Sequence, residues 1–258
     1  KIVRAFRAET PGHSIDMSRV ELPMMFNLHH PLNLEVIGAE AQHDNMQSAA
    51  YRVIWGFLLK CPASNVRFCI FDPKEGGGSV RMLSNFVNKM PDSYKRAVTQ
   101  MSRTEELLSC LKELEGQTLD FIRDRPDYDD LLDYNAHNPR RTEAITLLML
   151  YDFPLNADAR CLELLSSVMQ KGNRCGIYVV LCRNTAVEVA SSYDHIDEKL
   201  AELEKNCVQI ECKENGFALL PYHLSVRLIE KPDAGQLEKF AVEYHKAVEK
   251  LSVQSIHF

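Results

Sequence analysis

Apolar residues in this chain gather in short solid runs, separated by longer stretches where they recur every three or four positions. Leu34–Gly38, Val66–Asp72, Ala144–Tyr151 and Ile177–Leu181 are almost unbroken runs, which predicts strands buried on both faces. Between the first two, a helix is predicted from about Asp44 to Lys60, with Asp44 and Gln47 as a capping box. Ser102 and Glu105 cap a long helix running to about Arg123, with Leu107, Leu108, Leu111 and Leu114 on one face. Arg125–Pro139 reads as a loop with one turn of helix. Asn156 or Asp158 opens another helix, which runs to Lys171 and stops at Gly172. Cys207–Cys212 and Phe217–Leu220 flank Lys-Glu-Asn-Gly as the arms of a hairpin. Ser18–Pro23 alternates like an edge strand that ends at its proline. A last helix is expected from Asp233, with Leu237, Phe240, Ala241, Tyr244, Ala247, Val248 and Leu251 along one stripe.

Solid apolar strands alternating with helices argue for an α/β fold, a mostly parallel sheet covered by helices on both faces. Ligands of such sheets sit at the carboxyl ends of the strands. Gly38, Asp72, Asp152, Arg183 and Asn184 all fall at strand ends, so the architecture gathers them on one rim. Residues 34–220 form the expected core. Residues 1–33 are an extended lead-in with a short strand or two, and 221–258 a C-terminal strand and helix, both packed on that core as one domain.

The 258 residues carry a net charge of −6, with 45% hydrophobic and 26% charged positions. These are ordinary globular values and give no whole-surface affinity for nucleic acid; DNA contact would have to come from local loops. The eight cysteines form no C-x-x-C and no zinc spacing, which fits a reduced, cytoplasmic setting. No apolar stretch approaches the ~20 residues of a membrane span. The start at Lys1, without Met or signal pattern, predicts a segment of a longer polypeptide.

Four pieces in order then resemble one family. Val66-Arg-Phe-Cys-Ile-Phe-Asp-Pro-Lys74 looks like the "VRFxxIDPK" strand of FtsK/SpoIIIE-type translocases. Helix 103–123 followed by Asp130-Leu-Leu-Asp-Tyr-Asn135 is similar to their "E-x-R…I-x-x-Y-N" segment. Leu147–Asp152 sits at the Walker B strand, and Leu165–Leu181 resembles their glycine-containing helix–strand unit. Together the pieces span roughly 34–220. The resemblance implies a RecA-like P-loop NTPase fold, which in that family binds ATP and Mg²⁺ and works on DNA or, in type VII secretion relatives, on protein.

The catalytic positions depart from the family pattern. Counting from Gly38, G-x-x-x-x-G-K-[ST] would place glycine at His43, lysine at Asp44 and a hydroxyl at Asn45. A carboxylate ~4 Å from a phosphate costs on the order of 4 kcal/mol at an effective dielectric near 20. Glu40 adds to that penalty. Asp44 reads better as a helix cap that takes the N–H groups a phosphate would have used. Asp152 stands at the Mg²⁺-holding acid, but Phe153 replaces the second acid, and Asn184 stands where the family has glutamine. The vestigial nucleotide positions are thus Gly38, Asp44, Asn45, Asp152 and Asn184, with no catalytic residue, no resident metal and no cofactor expected. Under the alternative, an ATP-driven translocase with an atypical loop, Lys74, Gly76, Gly77, Gly78 and Asp152 would hold phosphate and metal.

The bland readings carry weight. Asp152 is first a strand-end aspartate capping the turn before Pro154. Gly76–Gly78 is first a flexible connection and second an anion nest. His29-His30 lack a third ligand, and Arg140-Arg141 read as a solvated loop. The expectation is a scaffold or interaction domain of a larger motor protein, with protein partners or neighbouring ATPase domains.

Overall fold

The computed structural model describes residues 4–9, 21–23, 33–58, 65–74, 98–187, 196–214, 216–220 and 224–228, with Lys239 and Glu243. The long helix expected from Asp233, Gly76–Gly78 and His29-His30 lie outside the described residues, Lys239 and Glu243 apart.

The strands are β1 (Arg4–Glu9), β2 (Glu21–Pro23), β3 (Asn33–Gly38), β4 (Val66–Phe71), β5 (Val98–Met101), β6 (Ile145–Phe153), β7 (Ile177–Asn184), β8 (Cys207–Lys213), β9 (Gly216–Leu220) and β10 (Leu224–Leu228). They form one sheet in the order β2-β1-β10-β9-β8-β3-β7-β6-β4-β5. The six strands from β8 to β5 run parallel. At β8 the sheet turns antiparallel through the predicted β8–β9 hairpin and continues through β10 and β1 to β2. Arg4–Glu9 and Glu21–Pro23 of the lead-in are therefore strands of the sheet, and among the described residues the proline-ended strand Glu21–Pro23 stands at its edge.

Helix α1 (His43–Leu58) lies on one face of the sheet. Its Met46, Ala49, Ala50, Val53 and Ile54 recur at i, i+3, i+4, i+7 and i+8 and pack on Leu34, Val36, Phe68, Ile70, Met149 and Val180. On the other face lie α2 (Thr104–Asp124), α4 (Ala159–Lys171) and α5 (Ile196–Glu204), over Cys69, Phe71, Leu148, Leu150, Val179 and Leu181. Helix α3 (Leu131–His137) provides slightly more helix than the single turn expected after Arg125. Odd and even strand residues thus feed two separate cores, as period-2 geometry requires.

Two caps differ from the sequence reading. Helix α2 starts one residue later, and Glu106 accepts from the backbone N–H groups of Ser102 and Arg103 at 3.0 and 3.2 Å. Those bonds hold its carboxyl down at about 2. Asp44 is not a cap. A 3-10 turn over Glu40–Gln42 precedes α1, and the Ala39 N–H donates to Gln42 Oε1 at 2.7 Å. The pattern that mattered was Ala39 with Gln42 three residues on, which leaves Asp44 exposed inside the first turn of α1. By contrast Asp158 caps α4 as expected, accepting from the Cys161 N–H at 2.7 Å, and Gly172 ends the helix.

Candidate functional site

The carboxyl ends of β3, β4, β6 and β7 bring Gly38, Asp72, Asp152 and Asn184 to one rim, and the Thr185 N–H closes on the Gly38 carbonyl at 2.9 Å. Asp152 reaches this rim through a local break in its strand. Its φ is +48°, and the β6–β7 register shifts between Leu150 and Phe153. The shift has a visible consequence for alternation. Tyr151 belongs to the α1-side core, yet Phe153 belongs to the opposite core, so the chain has slipped by one residue between them. A bulge of this kind re-aims a side chain at the end of a strand.

Re-aimed, Asp152 is 4% exposed and its Oδ1 accepts from Lys74 Nζ at 3.2 Å and from Asn184 Nδ2 at 2.9 Å. Asn184 also donates to Glu40 Oε2 at 2.8 Å, while its Oδ1 accepts from the Ala186 N–H at 3.0 Å. Both amide protons therefore face carboxylates, which settles the orientation of the amide. Lys74 Nζ completes the cluster, donating to Glu40 Oε1 and Oε2 at 3.3 and 3.1 Å. The expectation that the Asp152 side chain caps the turn before Pro154 is corrected here. The backbone carbonyl of Asp152 accepts from Leu155 at 2.9 Å, and the side chain goes to Lys74 and Asn184 instead.

One ammonium is shared by two carboxylates in this cluster, and the Asn184 amide donates to both. The Glu40 carboxyl is held below its ordinary range by the Asn184 hydrogen bond first and by Lys74 second. Burial works to lower the Lys74 ammonium, but its bonds to Glu40 and Asp152 outweigh it and raise the pKa. Asp72, 5% exposed, is different. Its Oδ1 accepts from the Lys74 N–H at 3.1 Å in an Asx turn, while its buried Oδ2 has no partner among the described residues. Burial pushes its carboxyl up; the Lys74 N–H opposes that and the Asp152 charge adds to it.

Of the vestigial positions, Gly38, Asp152 and Asn184 converge, and Asp44 and Asn45 do not join them. Asn45 donates to the Lys213 carbonyl at 3.3 Å, tying α1 to the end of β8. From the alternative set, Lys74 and Asp152 are in contact. Arg183 turns to the other side of the sheet, where it pairs with Glu204 and, at 3.4 Å, with Glu35, which is 1% exposed. Sequence reading missed Gln42 as a cap and Glu35 as a buried charge. A glutamate inside the apolar run 34–38 was the available signal for the second. Among the described residues, no three His, Cys, Asp or Glu side chains gather as a metal site, and no helix is long and apolar enough to cross a membrane.

No protein-family model and no curated protein matches the chain in sequence. Solved structures do match in fold. EssC (ATPases 2 and 3) from Geobacillus thermodenitrificans aligns with a TM-score of 0.57 at 13% identity, over 85% of this chain and 44% of that one. Thermomonospora curvata EccC (ATPases 2 and 3), in complex with a signal sequence peptide, gives 0.55 at 14% identity, over 96% and 47%. The pCW3 conjugation coupling protein TcpA, with ATPγS, gives 0.53 at 11%, over 83% and 66%. The chain thus spans less than half the length of the EssC and EccC chains it resembles. With its sheet order and helix layers, the chain has the RecA-like P-loop ATPase fold of the FtsK/SpoIIIE-type domains.

Proposed function

We propose that this chain is an FtsK/SpoIIIE-like ATPase domain that has given up nucleotide turnover and serves as a scaffold or interaction module of a larger motor protein. The observation that carries the reading is the occupation of Asp152 Oδ1 by Lys74 Nζ and Asn184 Nδ2. In an active site of this fold, the acid at the end of the Walker B strand serves a hydrated Mg²⁺ that bridges phosphates. Here a tethered ammonium stands against it. The loop that would wrap the phosphates begins with the Ala39 N–H already bound to Gln42, and it projects the Glu40 carboxylate. A triphosphate arriving there would meet carboxylates before it met free N–H donors. Protein partners fit better than DNA, since EccC binds a signal sequence peptide and the net charge here is −6.

The contact between Lys74 and Asp152 also gives the second reading, an atypical translocase, its one concrete support, because an ammonium at this rim could turn to a phosphate. Titration of the protein with ATP and Mg²⁺, following melting temperature and phosphate release, separates the two. Ligand at 100 times its dissociation constant stabilises by about 2.7 kcal/mol, a shift of several degrees at this size. No shift at millimolar ATP is expected. A clear shift with turnover that Asp152→Asn abolishes would replace the scaffold reading by the translocase.

A further inference from the structure

We propose, resting on the scaffold reading above, that Glu40 is a tethered ligand of its own rim, filling an oxyanion site made by Lys74 Nζ and Asn184 Nδ2 that an external phosphate or carboxylate group can enter. Every donor of that site is in use. Lys74 directs its ammonium to Asp152 Oδ1 at 3.2 Å and to Glu40 Oε1 and Oε2 at 3.3 and 3.1 Å, which engages its three N–H groups. Asn184 directs one amide N–H to the same Asp152 oxygen at 2.9 Å and the other to Glu40 Oε2 at 2.8 Å. The Glu40 carboxylate thus receives three bonds from two donors, an arrangement that two oxygens of a phosphate or another carboxylate would accept equally well.

The inner and outer acceptors differ in how firmly they are held. The Asp152 side chain is 3% exposed, whereas that of Glu40 is 64% exposed. Glu40 also stands on the 3-10 turn Glu40–Gln42, which has no buried residue, so lifting it uncovers no core. The donors stay in place when Glu40 leaves. Asp152 Oδ1 holds both from behind, and the Asn184 amide is oriented further by its own Oδ1, which accepts from the Ala186 N–H at 3.0 Å. A site preorganised in this way needs no rearrangement beyond loss of its plug. The Glu40 carboxyl is held below its ordinary range by the Asn184 bond first and by Lys74 second, so the two donors favour an anion at this place. While Glu40 is seated, an arriving anion meets a like charge and a filled donor set. Its apparent affinity is reduced by the fraction of molecules in which Glu40 is away.

The test compares the unaltered protein with Glu40→Ala and Glu40→Gln. Each is titrated with inorganic pyrophosphate and, separately, with acetate at constant ionic strength, following melting temperature and calorimetric heat. Both variants should show a saturable rise in melting temperature. They should bind anion at least about tenfold more tightly than the unaltered protein, as removal of one like charge at contact distance implies. Adding Lys74→Met to Glu40→Ala should abolish the response. A response to pyrophosphate alone identifies a phosphate group as the external ligand, and a response to acetate admits the carboxylate of an acidic partner side chain. Equal affinity in all three proteins, or no response from folded Glu40 variants, would overturn the proposal. ATP turnover by the unaltered protein would remove the scaffold reading with it, whereas silent variants beside an unaltered protein without turnover remove only the role of Glu40.

Discussion

Lys74 Nζ stands 3.2 Å from Asp152 Oδ1 and salt-bridges a carboxylate that is otherwise 3% exposed. Asp152, at the end of β6, is paired with a side chain that follows the end of the neighbouring strand β4. Lys74→Met should therefore lower stability rather than free a binding site. The loss is expected to be about 1–3 kcal/mol, arising from the buried Asp152 oxygen. The Glu40 side of the contact adds little, because Lys74 is 41% exposed and solvent screens it. Chemical denaturation of the variant, compared with Lys74→Arg, checks this. A neutral result for Lys74→Met would mean that Asp152 is satisfied by Asn184 alone.

Asp72 gives the opposite sign. Its folded-state pKa is raised, first by burial, so the protonated form suits the fold. A raised carboxyl contributes its stability below the unfolded value and loses it as pH climbs through the folded one. At pH 7, Asp72→Asn should accordingly raise the melting temperature, since the amide keeps an acceptor for the Lys74 N–H and removes the charge behind Oδ2. The gain should shrink as the pH is brought down through the folded-state pKa. Melting curves from pH 7 to pH 4 on both proteins would show it; a gain that stays constant with pH would contradict the assignment.

How far the sequence carried the argument differs between elements for physical reasons. β6 and β7 are solid apolar runs flanked by a cap and a glycine, and both were legible because burial on two faces leaves no other use for such runs. α5 and β5 were not, since a nine-residue helix and a four-residue edge strand carry too few periods to register. At the site, their place at the carboxyl ends of strands put Gly38, Asp152 and Asn184 on the rim. The family resemblance grouped Lys74 with Asp152, but nothing showed that Lys74 would bridge Asp152 and Glu40, contacts that span 78 and 34 residues of chain. Asp44 was misjudged because a capping rule is local, and the Ala39–Gln42 bond satisfied the loop one turn earlier.

Gly176 is a position where only glycine fits. Its φ is +72°, and a Cβ built there would stand 2.3 Å from Leu131 Cδ2. Leu131 is 1% exposed and cannot swing into solvent. Gly176→Ala should destabilise by about 2–4 kcal/mol, combining left-handed backbone strain with overpacking. Gly116→Ala, in the middle of α2 with open space around it, is the matched control and should stabilise by about 0.5–1 kcal/mol. Equal effects at the two positions would count against this packing of α3 on the turn before β7.

The last prediction concerns the charge buried on the far side of the sheet. Glu35 sits in the middle of β3, accepts from Gln209 Nε2 at 2.7 Å, and faces Arg183, which also pairs with Glu204 of α5. Arg183 thus joins the first parallel strand, the strand bearing Asn184 and the last helix before β8. Removing the cation alone strands the Glu35 carboxylate, so Arg183→Met should cost about 3–5 kcal/mol. Removing both ends of the buried contact should cost less than the single change, because Glu35→Met with Arg183→Met leaves no unpaired charge inside. The measurement is a double-mutant cycle by denaturant unfolding. Recovery of stability in the double variant identifies a buried pair whose worth lies in its mutual neutralisation. Simple additivity would instead mean that Arg183 acts through Glu204 at the rim and that Glu35 is held by Gln209 alone.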